Sequence, residues 1–223
     1  MIRPADEVAS PAPDHDPTGE RSRRIVDVAY ELLGDAGLEG LTIRAVLTRT
    51  KLSRRAFYER FAGKDDLVLA VFEQTIRLAA RHYGDQLRTM PDPLERLKRI
   101  VTGIVLGRGE LDGAVTEDGD RLGAAMSREH LRLAESRPGD LQAALRPLIT
   151  LIAEQLSDGM AAGAVRRNNP QLLATLVYNL VSTTVHTELL AQENARPGPM
   201  PRARLAADIW EFCRRAIVAE SGG

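Results

Sequence analysis

Thr42-Ile43-Arg44-Ala45-Val46-Leu47-Thr48-Arg49-Thr50-Lys51-Leu52-Ser53-Arg54-Arg55-Ala56-Phe57-Tyr58-Glu59-Arg60-Phe61 decides how the 223-residue chain is read. Two short apolar-periodic segments each begin at a hydroxyl residue suited to a helix N-cap, Thr42 and Ser53. Only Lys51 and Leu52 separate them, which is the spacing of a helix-turn-helix. In that motif the second helix enters the major groove with its N-terminal residues at the base edges. Those residues here are Arg54 and Arg55, whose planar forks match guanine O6 and N7. Leu52, Phe57 and Phe61, with Val46 and Leu47, are expected to lock the two helices together and hold the arginines in register.

Outward from this stretch the chain is helical in period, with no convincing strand-like alternation, so the fold is expected to be all-α with about nine helices. Helix 1 is read over about residues 18–36, with Gly37 as its stop, helix 3 from Ser53 to near Gly63, and helix 4 from Asp65 to about Tyr83. Asp92-Pro93 followed by Glu95 marks a fifth helix ending near Gly107. Residues 107–120 are Gly- and acid-rich and read as a flexible connection; four further helices follow, over about 121–135, 138–163, 170–192 and 202–220. The first 17 residues, with four prolines and few apolar side chains, read as a disordered acidic tail. The expected division is therefore a tail over 1–17, a helix-turn-helix domain over 18–64 and a larger helical domain over 65–223.

Charge follows the same division. The net charge is only −1, but residues 21–64 hold ten basic side chains against five acidic ones, whereas residues 1–20 hold Arg3 against five acids. A basic module of this kind suits a phosphate backbone, whose neutralisation releases condensed counterions.

Thr42-Ile43-Arg44, the run Leu52-Ser53-Arg54-Arg55-Ala56-Phe57-Tyr58-Glu59-Arg60-Phe61, and Lys64-Asp65-Asp66-Leu67 together resemble the DNA-binding half of the TetR family of bacterial transcriptional regulators. The resemblance covers about residues 21–70. It implies a homodimer, a double-stranded DNA operator with two-fold symmetry, and a C-terminal helical domain that binds a small-molecule effector. It also implies that Thr42, Arg44, Tyr58 and Lys64 contact phosphates, that Ser53 caps helix 3, and that Arg54, Arg55 and Ala56 face bases. The sequence departs from the family pattern at Lys51 and Arg55, where glycine is usual or frequent, and at Leu47, where the helix crossing usually has alanine.

In the larger domain, helix 8 carries Leu172, Leu173, Leu176, Val177, Leu180, Val181 and Val185, and helix 9 carries Leu205, Ile209, Trp210, Phe212, Cys213 and Ile217. Helices apolar on more than one face are buried from two sides. The expected dimer interface is Leu173, Leu176, Leu180, Ile209, Phe212, Cys213 and Ile217. Met126, His130, Tyr178, Thr183, Thr184 and His186 mix apolar bulk with a few polar groups, as ligand pockets do.

Other chemistries find little support. Gly107-Arg108-Gly109 with Gly113 follows a helix and lacks dinucleotide-loop spacing, and the four histidines lack i, i+4 metal pairing. No nucleophile elbow or zinc-protease helix occurs, so no catalytic residue, metal or cofactor is expected. A single cysteine, and no run of about 18 apolar residues, fit a cytoplasmic protein. The leading expectation is a repressor released from its operator by an effector. The alternatives are a DNA binder of the same fold that its ligand activates, and an all-α enzyme or lipid carrier.

Overall fold

The computed structural model describes residues 17–107, 117–193 and 202–219. Among these residues nine helices occur: α1 (Pro17–Gly40), α2 (Ile43–Thr50), α3 (Arg54–Tyr58), α4 (Lys64–Leu87), α5 (Pro93–Leu106), α6 (Glu117–Ser136), α7 (Pro138–Ala161), α8 (Pro170–Glu193) and α9 (Arg202–Ile217). The fold is all-α. The one pairing of the β kind among the described residues is an isolated antiparallel bridge between Val165 and Val218. There, Arg166 N–H donates to the Ile217 carbonyl at 2.9 Å and Ala219 N–H to the Ala164 carbonyl at 3.2 Å, so the end of α9 is tied to the α7–α8 connection.

The helix boundaries follow the capping chemistry. Thr42 and Ser53 accept from the amides of Ala45 and Ala56, and Asp92 accepts from Leu94 with Pro93 in the first turn. Gly37 adopts φ 63°, breaking α1 where glycine was expected to stop it, and Gly107 ends α5 at φ 68°. Three expectations need correction. Helix α3 ends at Tyr58, because the Arg60 and Phe61 amides both turn back onto the Phe57 carbonyl. Helix α4 runs one turn beyond Tyr83 to Leu87, and Glu117–Asp120, expected in the connection, belong to α6. The expected tail, except Pro17, and most of the expected connection lie outside the described residues.

Two apolar clusters organise the molecule. The first joins Ile25, Ala29 and Leu33 of α1, Val46 of α2, Phe57 of α3, Phe61, and Leu67, Val68 and Val71 from the start of α4. It also takes in Leu122 and Ala125 of α6, so it reaches beyond the sequence boundary at residue 64. The second gathers the rest of α4 with α5, the later part of α6, α7, α8 and α9, centred on buried residues such as Leu97, Ile100, Leu133, Ile152, Leu156 and Val181. Helices α4 and α6 thus supply side chains to both clusters, making them the physical link between the helix-turn-helix and the larger bundle.

Candidate nucleic-acid interface and ligand cavity

The helix-turn-helix is built from within. Phe57 is fully buried and packs on Phe61 with ring centroids 5.4 Å apart, while Tyr58 stands edge-on to Phe57 at 5.3 Å. Val46 is buried beneath them, whereas Leu47 and Leu52 are only half-buried and pack at the edge of the cluster. Burying Phe57 and Phe61 leaves the adjacent positions of a five-residue helix to solvent, so Arg54, Arg55 and Tyr58 are exposed and Ala56 is half-buried. Among the described residues Arg54 makes no ion pair, while Arg55 Nε lies 3.0 Å from Glu59 Oε1 one turn along.

The turn contains a feature that motif reading missed. Thr50 is buried, its hydroxyl donates to the Val46 carbonyl at 2.8 Å, and the same oxygen accepts from Leu52 N–H at 3.4 Å. Hydroxyl residues near a helix end hydrogen-bond locally in this way, and that propensity was the available signal. Lys51 takes the left-handed conformation, φ 57° and ψ 26°, at the C-cap of α2. The turn therefore needs glycine-like geometry even though the side chain is lysine.

The expected phosphate-contacting residues surround this surface. Thr42 and Arg44 are exposed at the start of α2, although the Thr42 hydroxyl is also engaged as the cap of Ala45. Lys64, half-buried, donates to the Leu38 carbonyl at 2.6 Å and so braces α4 against the end of α1. Arg49 and Asp35 pair at 3.0 Å between α2 and α1.

The match of this segment to known proteins is direct: residues 25–71 fit the family described as bacterial regulatory proteins, tetR family. Residues 25–71 are a TetR-family domain. An HTH-type transcriptional regulator of Mycobacterium bovis is 31% identical over 80 residues, covering 36% of this chain. The match spans 40% of the length of that relative. Among solved structures, a TetR-family regulator from Pectobacterium atrosepticum superposes with a TM-score of 0.71 at 16% identity, covering 92% of this chain and 98% of the other. A transcriptional regulator from Saccharomonospora viridis, solved in complex with choline, gives 0.65 at 21% identity, covering 91% and 100%. The fold shared with TetR-family regulators therefore extends through the larger bundle.

That bundle carries a partly open cavity of about 240 Å³. Phe72, Ile76 and Ala79 of α4, Gly103 and Ile104 of α5, and Leu122 and Met126 of α6 form much of its wall. Gly103 is required by close approach: a Cβ there would lie 2.6 Å from the ring of Tyr83, which also lines the space. Tyr30 of α1 lines it as well, so the wall includes a residue of the TetR-family segment.

Its polar side groups Ser127 and His130 of α6 with Tyr178, Ser182 and His186 of α8, and Thr75 of α4 and the guanidinium-bearing Arg202 of α9 also line the space. Tyr178 Oη and His130 Nδ1 are 3.4 Å apart, and the rings of His130 and His186 meet edge-on at 4.7 Å. Burial holds the Tyr178 phenol protonated and pushes His130 below the ordinary imidazole range. Burial and then the neighbouring His130 push His186 down to about 4, so both imidazoles are neutral at physiological pH.

Met126, His130, Tyr178 and His186, expected to share a pocket, all line this cavity. Thr183 does not. It is exposed, because Tyr178, Ser182 and His186 recur at i, i+4, i+8 on the cavity face and residue 183 is turned about 100° away from residue 182. Thr184 also lies outside the wall, and its hydroxyl donates to the Leu180 carbonyl at 2.8 Å.

The expected interface set also divides. Leu173, Ile209, Cys213 and Ile217 are buried in the chain's own core, which removes them from any exposed face. Leu176 and Phe212 are 55% and 65% exposed, Leu172 is 53% exposed, and Leu180 is half-buried. Among the described residues no helix is long and apolar enough to cross a membrane, and no three His, Cys, Asp or Glu side chains gather as a metal site.

Proposed function

We propose that this chain is a cytoplasmic transcriptional regulator that reads a palindromic operator as a homodimer and is released from it by a small molecule held in the bundle cavity. The observation that carries the reading is the recognition helix. Ser53 caps it, Phe57 anchors it, and it presents Arg54 and Arg55 to solvent in the positions that face base edges in a helix-turn-helix. Arg54, Arg55 and Ala56 read bases, while Thr42, Arg44, Tyr58 and Lys64 meet phosphates. Ser53 keeps the structural role of cap.

One such helix offers too few base contacts for a useful specificity ratio, and two must be held about one helical turn of DNA, roughly 34–36 Å, or a multiple apart. The exposed apolar side chains Leu172, Leu176 and Phe212 of α8 and α9 supply the surface for that pairing. Across a two-fold axis each patch meets its own copy.

Control follows from the shared walls. A ligand that fits the cavity better in one arrangement of α4, α6 and Tyr30 shifts the population toward it by its differential affinity. The relatives include a regulator solved in complex with choline, in keeping with small-molecule control. A gel shift of the purified protein on the DNA upstream of its own gene tests the reading. Specific retardation that survives excess random duplex supports it, and equal affinity for both refutes it.

A further inference from the structure

We propose that the molecule this cavity accepts is an amphipathic anion, an apolar body ending in one carboxylate, with the carboxylate held by Arg202 at the head of α9. The inference rests on the preceding reading only in taking the cavity as the ligand site.

Charge on the wall is one-sided. Among the described residues that line the cavity, Arg202 alone carries a formal charge at neutral pH, because His130 and His186 are neutral there and no Asp or Glu reaches the wall. Arginine stays protonated at any working pH, so the field inside the cavity is positive. A cationic ligand would meet that field with no counter-charge, and an uncharged one would gain little from it. A carboxylate matches the planar fork of the guanidinium.

The position of Arg202 supports the same occupant. It is the first residue of α9, where the free amides and the dipole of a helix add to the positive potential. Gly107, the cap of α5, and Leu189, close to the end of α8, line the same cavity, which places the guanidinium at the end of the bundle where those two helices stop. Phe72, Ile76, Ile104 and Leu148 supply apolar surface for the body. Arg202 is half-buried, with its Nη2 shielded from solvent. Partial burial strengthens the attraction over its value in open water, while the opening in the wall lets the carboxylate keep part of its hydration and limits the desolvation cost.

Three probes with one flexible chain and different heads test this on the full-length protein: octanoate, 1-octanol and octylammonium, each titrated calorimetrically at neutral pH. The expected result is that octanoate binds about tenfold or more tighter than 1-octanol, with octylammonium weakest. Added salt should weaken octanoate and leave 1-octanol unchanged. Arg202→Gln, which keeps a donor and removes the charge, should cut the octanoate-to-octanol ratio by about tenfold, and Arg202→Lys should retain most of it. The ratio is the readout because a general loosening of the cavity would lower both affinities together, and the order of the three probes on the unaltered protein decides independently of any variant. Equal or tighter binding of 1-octanol or octylammonium, a ratio indifferent to Arg202→Gln, or no binding of any probe below millimolar would each overturn the inference. Operator binding, measured on the same samples, separates the two ideas: a protein that retains its operator but shows no preference for octanoate loses only this inference, and one that prefers octanoate but binds no operator loses only the regulatory reading.

Discussion

Arg137, at the junction of α6 and α7, reaches the first turn of α4 and pairs with Asp66 at 3.0 Å across 71 residues of sequence. The other Asp66 oxygen accepts from Ala62 N–H at 3.1 Å, and Arg132 in parallel joins buried Glu129 to neighbouring Asp65. The hydrogen bond from Arg137, then that from Ala62, holds the Asp66 carboxyl below its ordinary range. Its contribution is therefore complete above about pH 4 and is lost as pH falls through the lowered folded-state value. Asp66→Ala should speed amide exchange at Ala62 and along the first turn of α4 while leaving α7 and α8 protected, as hydrogen-exchange mass spectrometry would record. Unchanged exchange at Ala62 would show that the pair does not hold the junction.

Arg54→Ala and Arg55→Ala should each reduce discrimination between operator and random duplex by about 1–3 kcal/mol, the worth of a good base contact. Because Glu59 holds Arg55 in the free protein, Glu59→Ala should alter operator affinity while Arg55 is present and have little effect in the Arg55→Ala background. Tyr58→Phe and Lys64→Ala should instead weaken all duplexes alike, with the salt slope falling by about one for the lysine. Competition binding at two salt concentrations distinguishes the classes, and equal losses on both duplexes for the arginine variants would overturn their assignment to bases.

Lys51 holds a left-handed backbone that costs an L-residue about 1–2 kcal/mol and glycine almost nothing. Lys51→Gly gains that amount and loses part of it to the greater freedom of the unfolded chain. The expected net is about 0.5–1 kcal/mol of added stability, readable from urea midpoints. Destabilisation would mean that the lysine side chain contributes more than its backbone costs.

Replacing Phe212 or Leu176 by Arg should leave the helical spectrum intact and abolish both self-association and tight operator binding. Both side chains stand in solvent in the single chain, so neither substitution buries a charge in the core. Sedimentation at micromolar concentration is the measurement. A dimer that persists in both variants would place the interface elsewhere.

The neutral His186 makes stability depend on pH in a defined direction. Its value of about 4 in the folded state lies below the unfolded 6.5, so its stabilisation is whole above 6.5 and is lost as pH falls from 6.5 toward 4. His130, shifted the same way, acts in the same window. The melting temperature should drop between pH 7 and pH 5, and His186→Gln should shrink the drop. An unchanged drop would remove His186 as its source.

The sequence revealed the helix-turn-helix most clearly because its signals are local. Thr42 and Ser53 cap within three residues, and the Phe57–Phe61 pair lies one turn apart. The end of α3 was harder to read, since apolar spacing continues through Phe61 although the backbone has already turned back on Phe57. On the cavity face, chemistry points to His130, Tyr178 and His186 but selects Thr183 and passes over its neighbour Ser182, because which of the two faces the cavity depends on how α8 is rotated. Rotation was also the obstacle for the exposed face. With apolar residues all round α8 and α9, periodicity could not say that Ile209 and Cys213 face inward while Phe212 faces out.

The chain's single thiol, Cys213, is 2% exposed, and burial pushes it up to about 11. Thiolate is the reactive form, so Cys213 should resist alkylating reagents in the folded protein. A cysteine placed by substitution on an exposed residue of the recognition segment, such as Arg60→Cys, can therefore be spin-labelled with the native thiol left in place. In a two-fold assembly, such a label reports the separation of the two recognition helices in solution, with and without ligand, from one labelled site per chain.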